Sequence, residues 1–291
     1  MNKIGFFITI FLFCTILGLY VGYRSIPEVG DVNPMTGKDV NDPYGTLYFL
    51  GIVLFGTVTL LLLLKYYKGD LLFRFLEVYI IFVGSMMVWQ FAIIDAIGQL
   101  LSSQEEYLII LMVVSALTVA VRFLRKTFTV KNLTLAIAIA GAGGALGSFM
   151  GLMPALLLVA ALGTYDIIAV FKTKHMIKLA DESRLREMPI MFETPSTGIK
   201  TGPRKGIKAD KDVLGLGTGD IAIPLILFVA VLRTLNDWVP VIFTVAGSMC
   251  GLALVIYYVT DVKRAALPAL PPIIGCGVLG LGLWAVLGML F

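Results

Sequence analysis

Histidine is nearly missing from this chain, cysteine is scarce and charge is thin. His175 is the only histidine, and it lies in a polar loop with no clustered donors around it. Cys14, Cys250 and Cys276 all fall inside apolar runs at no metal-like spacing. That inventory argues against a His/Cys metal site and makes buried structural thiols the expected role of all three. No metal ligand set and no cofactor is expected. Asp, Glu, Lys and Arg make up only 14% of the 291 residues, against 58% hydrophobic and a mean hydropathy of +0.93. Soluble domains carry roughly 25% charged residues, so a soluble fold is excluded. The net charge of +4 is modest, and the basic residues sit between apolar runs rather than in a patch. They read as topology signals, not as a nucleic-acid surface.

What is present is a series of long apolar runs. Nine spans are expected, at 4–23, 45–65, 71–94, 107–124, 132–150, 152–172, 214–235, 238–258 and 265–290, giving an all-α polytopic membrane protein. With the N-terminus inside, only Arg24, Lys38 and Arg233 of the 23 basic residues fall outside. The rule that basic residues stay on the cytoplasmic side then puts the N-terminus in the cytoplasm and the C-terminus outside. The segment 173–213 is polar and basic, with Pro189, Pro195 and Pro203, and is expected to be a mobile cytoplasmic loop. It separates a six-helix part, 1–172, from a three-helix part, 214–291, and both are expected to pack as one body. The apolar patch Met188 to Phe192 within the loop reads as a membrane-surface contact. Glycine-rich stretches at Gly141–Gly147, Gly247–Gly251 and Gly275–Gly282 read as close helix contacts.

Two of these spans work only by enclosing an acid. From Ile221 to Leu232 the apolar run is twelve residues, or ~18 Å of helix, where a hydrocarbon core needs ~30 Å. The span must therefore take in the stretch Gly215-Leu216-Gly217-Thr218-Gly219-Asp220. The run before Tyr165-Asp166 is short in the same way. Each embedded carboxylate costs about 2.5–3.5 kcal/mol on insertion scales, which signals function. Asp166 lies six residues before Lys172 and Asp220 six after Leu214, so both sit ~9 Å from the inner end of their spans. Two spans running in opposite directions thus place two carboxyls at one depth. The last span opens on Pro268-Ala269-Leu270-Pro271-Pro272 near the same level, and irregular backbone at that depth must line protein or a wet cavity. Of the other acids, Glu77 reads as an ion pair with Arg74 one turn away. Asp95, Asp237 and Asp261 sit at span ends, where water is within reach.

Tyr165-Asp166, Gly217-Thr218-Gly219-Asp220 and Pro268-Ala269-Leu270, in that order on the last four spans, resemble the motifs of the presenilin and signal peptide peptidase family. The family consists of intramembrane aspartyl proteases with nine spans, so the resemblance extends over the whole chain. It implies that Asp166 and Asp220 are the catalytic dyad. It also implies that Tyr165, Gly217, Thr218, Gly219, Pro268, Ala269 and Leu270 contact substrate. Thr218 departs from the leucine more usual in the family. The inside N-terminus resembles presenilin, and the short loops resemble its archaeal homologues, which implies an integral protein of an archaeal cell membrane with its site toward the cytoplasmic leaflet. The implied partners are transmembrane helices of substrate proteins and membrane lipid, and a homo-oligomer is left open. Two adjacent carboxyls share a proton and can serve as general base and general acid in peptide hydrolysis. The competing reading from the residues is a proton- or sodium-coupled secondary transporter, which also uses paired intramembrane acids.

Overall fold

The computed structural model describes residues 3–66, 71–98, 101, 103–125, 127–172, 191–194, 215–262 and 268–290. Among these residues there are nine helices: α1 (Lys3–Val29), α2 (Tyr44–Tyr66), α3 (Leu71–Ile97), α4 (Gln104–Leu124), α5 (Phe128–Ser148), α6 (Leu152–Ile167), α7 (Gly219–Leu235), α8 (Trp238–Tyr257) and α9 (Leu270–Leu290). Two of them widen into π-helical turns at their C-terminal ends, α6 over Ile168–Lys172 and α8 over Tyr258–Val262. Seven of the nine are long and apolar enough over their described residues to cross a membrane, and α7 is not among them. The chain is an integral membrane protein.

α7 is the axis of the bundle. It packs against α1, α5, α6, α8 and α9, and every residue from Pro224 to Leu232 is buried. A helix apolar on all faces suits that setting, with protein rather than water on every side. Its neighbours make room with glycine. A side chain on Gly18 or Gly143 would overlap Leu225, and one on Gly22 or Gly147 would overlap Val229. Between apolar helices in lipid, such close approach supplies the attraction that water cannot. Gly247, Gly251, Gly277 and Gly280 let α8 and α9 meet at backbone distance, whereas Gly275 and Gly282 face open space.

The structure corrects several expectations. The span 214–235 is not helical throughout: Gly215–Gly217 is an extended strand, β2, and the helix begins only at Gly219. At 17 residues, α7 is about 25 Å long. β2 pairs antiparallel with β1 (Met191–Glu193), in the register Met191 with Gly217 and Phe192 with Leu216. Among the described residues the fold is therefore all-helical apart from this one small sheet. Phe192 is wholly buried in the main core cluster, so that residue is an anchor rather than a membrane-surface contact, while Met188, Pro189 and Ile190 of the patch lie outside the described residues. The rest of 173–213, including His175 and the residues on which the mobile-loop expectation rests, lies outside the described residues.

Polar pairings also differ from expectation. Glu77 pairs with Arg122 of α4 at 2.6 Å, not with Arg74. The buried Arg122 guanidinium donates as well to the Lys131 carbonyl and to Thr134. A charge withdrawn from water takes the partner that satisfies most of its donors, and one turn of the same helix cannot match three groups on neighbouring elements. Asp95 is tied to Arg24 at 2.6 Å and accepts from the Tyr20 hydroxyl, rather than relying on water. Asp237 caps α8 by accepting from the Val239 N–H. Cys14 is buried, but Cys250 is exposed and Cys276 half-buried, because their helices α8 and α9 lie at the periphery.

Candidate active site

The sequence places Asp166 near the C-terminal end of α6 and Asp220 in the first turn of α7, and the packing of those two helices brings the carboxyls to one end of the bundle. They lie close enough to interact electrostatically. Asp166 is buried, with 8% of its surface exposed, and Asp220 is half-buried. Each carboxyl receives a main-chain N–H. Leu270 donates to Asp166 Oδ2 at 3.3 Å, and Gly217 donates to Asp220 Oδ2 at 3.2 Å.

Both donors are available because the local sequence resists helix. Pro268 and Ala269 precede the first helical residue of α9, so the Leu270 N–H has no carbonyl one turn back. Pro271 and Pro272 fall in the first turn, where a missing N–H costs nothing. Gly217 ends the strand β2, three residues before the carboxyl it holds. Thr218 then starts the helix, its carbonyl accepting from Ile221 and Ala222.

The remaining expected site residues fall around this pair. Pro268, Ala269 and Leu270 are buried, and the Leu270 N–H is already committed to Asp166. α9 passes close to α6 below the site, with Pro271 Cα at 4.0 Å from where a Gly163 side chain would start. Gly219 is exposed and open toward the site, and the nearest atom to a Cβ there would be Ile223 Cδ1 at 3.8 Å. Gly217 is tighter, since a Cβ would stand 3.0 Å from Asp220 Oδ2. Tyr165 is half-buried and lies beside the Thr57 side chain on α2, whose hydroxyl donates to the Val53 carbonyl at 2.8 Å. α2 thus meets α6 next to Asp166.

Two contributors were not foreseen from the sequence. Thr57 carries no motif, and nothing near it marks it. Met191 and Phe192 were visible as an apolar patch in a polar loop, but a three-residue strand gives too short a run for period-two alternation to register.

A family model described as signal-peptide peptidase, presenilin aspartyl protease matches residues 8–287. Two solved structures of a presenilin family intramembrane aspartate protease, one in a C222 and one in a P2 crystal, resemble the chain at 23% identity. The first covers 98% of this chain and 99% of its own with a TM-score of 0.69, and the second covers 99% and 98% with a TM-score of 0.70. At that identity the likeness is one of fold. No match was found among curated proteins.

Proposed function

The chain belongs to the signal-peptide peptidase and presenilin family of aspartyl proteases and is an intramembrane aspartyl protease; within that activity we propose that Asp166 and Asp220 are its catalytic dyad. The observation that carries the proposal is the paired geometry. Two carboxyls from antiparallel helices sit within electrostatic reach at one end of the bundle, each receiving a main-chain N–H.

Like charges this close cannot easily coexist, so the pair holds one proton between its members and titrates as a unit. The ionised carboxylate takes a proton from a water molecule as that water attacks the scissile carbonyl carbon. The protonated carboxyl donates to the carbonyl oxygen, giving a tetrahedral intermediate. Collapse of the intermediate breaks the C–N bond, and the leaving nitrogen takes up a proton from the dyad. Fixed N–H partners matter because they hold both carboxyls in the reacting geometry before substrate arrives.

A transmembrane helix hides its peptide bonds, so substrate must unwind at the dyad. β2 has a single strand partner among the described residues, and an extended substrate segment can add to its other edge beside Asp220. Gly219 leaves space for that backbone, and Thr218 and Tyr165 flank it. Pro268-Ala269-Leu270 would contribute carbonyls rather than the Leu270 N–H, which is already in use. The basic residues of the loops support a cytoplasmic position for the dyad end, and loop length supports an archaeal cell membrane. The six-helix and three-helix parts act as one body, with 173–213 as the link between them.

The test is reconstitution in proteoliposomes with a transmembrane peptide substrate. Asp166→Ala and Asp220→Ala should each abolish cleavage and binding of a hydroxyl-bearing transition-state analogue, with thermal unfolding unchanged. Cleavage surviving either substitution would sink the dyad.

A further inference from the structure

We infer that Arg233 and Thr234, at the end of α7 farthest from the site, are positioning residues that set the register of the two aspartates. This rests on the reading of Asp166 and Asp220 as the dyad. Thr234 Oγ1 accepts a hydrogen bond from the main-chain N–H of Leu152 at 2.9 Å. Leu152 is the first residue of α6, and Thr234 is the next-to-last of α7. Leu152 to Asp166 is fourteen steps, and Thr234 to Asp220 is also fourteen, about 21 Å of helix in each case. Two antiparallel helices pinned at that rung therefore deliver their carboxyls to the same level.

Arg233 strengthens the pin. Its Nη1 donates to the Ser148 carbonyl at the end of α5 at 2.5 Å, and its Nη2 donates to the Gly30 carbonyl just beyond α1. Asp31 and Asp39 lie near enough to attract it. The end of α7 is thus tied to the ends of α1, α5 and α6 at once. Arg233 is also one of only three basic residues expected on that side of the membrane, against the usual bias.

Nothing else along α7 can do this work with directional contacts. From Ile221 to Leu232 there is no polar side chain, so polar side-chain contacts are confined to the two ends. One end is the reacting carboxyl itself. The other borders a cleft of about 420 Å³ lined by Arg233 and Thr234 together with Ile26, Pro27, Asn41 and Gly151. A helix is stiff along its axis, so a slip at Thr234 is passed along α7 toward Asp220.

The experiment measures kcat, KM, transition-state-analogue affinity and thermal midpoint for the full chain in proteoliposomes. Thr234 is exposed, so Thr234→Val removes the acceptor at little risk to the fold. A misplacement of about 1 Å costs on the order of 100-fold in rate. Thr234→Val should lower kcat about tenfold, and Arg233→Met by 10-fold or more, with KM within twofold and analogue affinity falling in step with kcat. Thr234→Ser should restore wild-type values. Wild-type kcat in both variants, or a lowered thermal midpoint with kcat intact below it, overturns the inference while leaving the dyad standing. Retained cleavage in Asp166→Ala or Asp220→Ala, run in parallel, would instead remove the dyad.

Discussion

Gly217→Ala and Gly219→Ala add the same methyl on either side of Thr218, and the structure assigns them different effects. Neither glycine has positive φ, so alanine fits both backbones and any effect is steric. At position 217 the new Cβ would stand 3.0 Å from Asp220 Oδ2, inside ordinary contact distance. The carboxyl must give way by a few tenths of an ångström, up to about 0.5 Å, and it is the atom that receives the Gly217 N–H that has to move. If 1 Å of misplacement costs about 100-fold, half of that costs about tenfold, or ~1.4 kcal/mol of activation free energy. At position 219 the nearest atom would be the flexible tip of Ile223 at 3.8 Å, so the protein itself accommodates the methyl. Any loss there must come from the bound substrate. The assay is steady-state cleavage of a transmembrane peptide in proteoliposomes, with thermal unfolding as control. Gly217→Ala should lower kcat about tenfold at constant KM, and Gly219→Ala should raise KM with kcat nearly constant. Equal effects of the two substitutions on kcat would refute the steric reasoning.

Other substitutions probe the supporting contacts. Leu270→Pro removes the N–H donated to Asp166 while keeping a residue suited to a helix start, and should lower kcat about tenfold or more relative to Leu270→Ala, which shares the lost side chain. Equal activity of the two variants would show that the N–H is idle. Phe192→Ala empties a wholly buried site at a cost of about 3–5 kcal/mol, more than a three-residue ladder can offset at about 1 kcal/mol per hydrogen bond. Amide exchange at Gly215–Gly217 should rise and cleavage should fall, and unchanged exchange counts against the anchoring role. Glu77→Ala strands the buried Arg122 and should cost about 3–5 kcal/mol in thermal or denaturant unfolding. The folded fraction should keep wild-type kcat, because the pair joins α3 to α4 and α5 rather than touching α6 or α7; a parallel loss of kcat would contradict that separation.

The parts of this fold that could be read from the chain follow from two strong constraints. Lipid forces long apolar runs into helices, so nine segments emerge from hydropathy alone. An acid in such a run must be compensated, so Asp166 and Asp220 stand out without any knowledge of their neighbours. What hydropathy cannot see is which residue answers a buried charge. Arg74 was the nearest base to Glu77 in sequence, but Arg122 can also reach the Lys131 carbonyl and Thr134, and only the packing of α3, α4 and α5 shows it. The same blindness applies to Cys250: a cysteine in an apolar run is buried in water-soluble folds, but in a membrane its apolar face can equally be turned to lipid.

The site shows a further limit, and a physical reason for it. Both carboxyls are held by main-chain N–H groups, from Gly217 and Leu270, and a main-chain donor leaves no trace in residue type. It can be inferred only from where a helix fails to form, since inside a helix every N–H is already spent. Among the described residues, Gly215–Gly217 and Pro268–Ala269 lie next to the dyad outside any helix. The irregular backbone that looked like a defect in two spans is therefore what frees a donor for each aspartate. By the same reasoning the far ends of α6 and α7 matter as much as the site. Leu152 has a free N–H only because it begins a helix, and Thr234 takes it up only because α7 ends one residue later. The dyad is thus framed by helix termini at both ends, and its geometry depends on backbone groups that regular helix would have consumed.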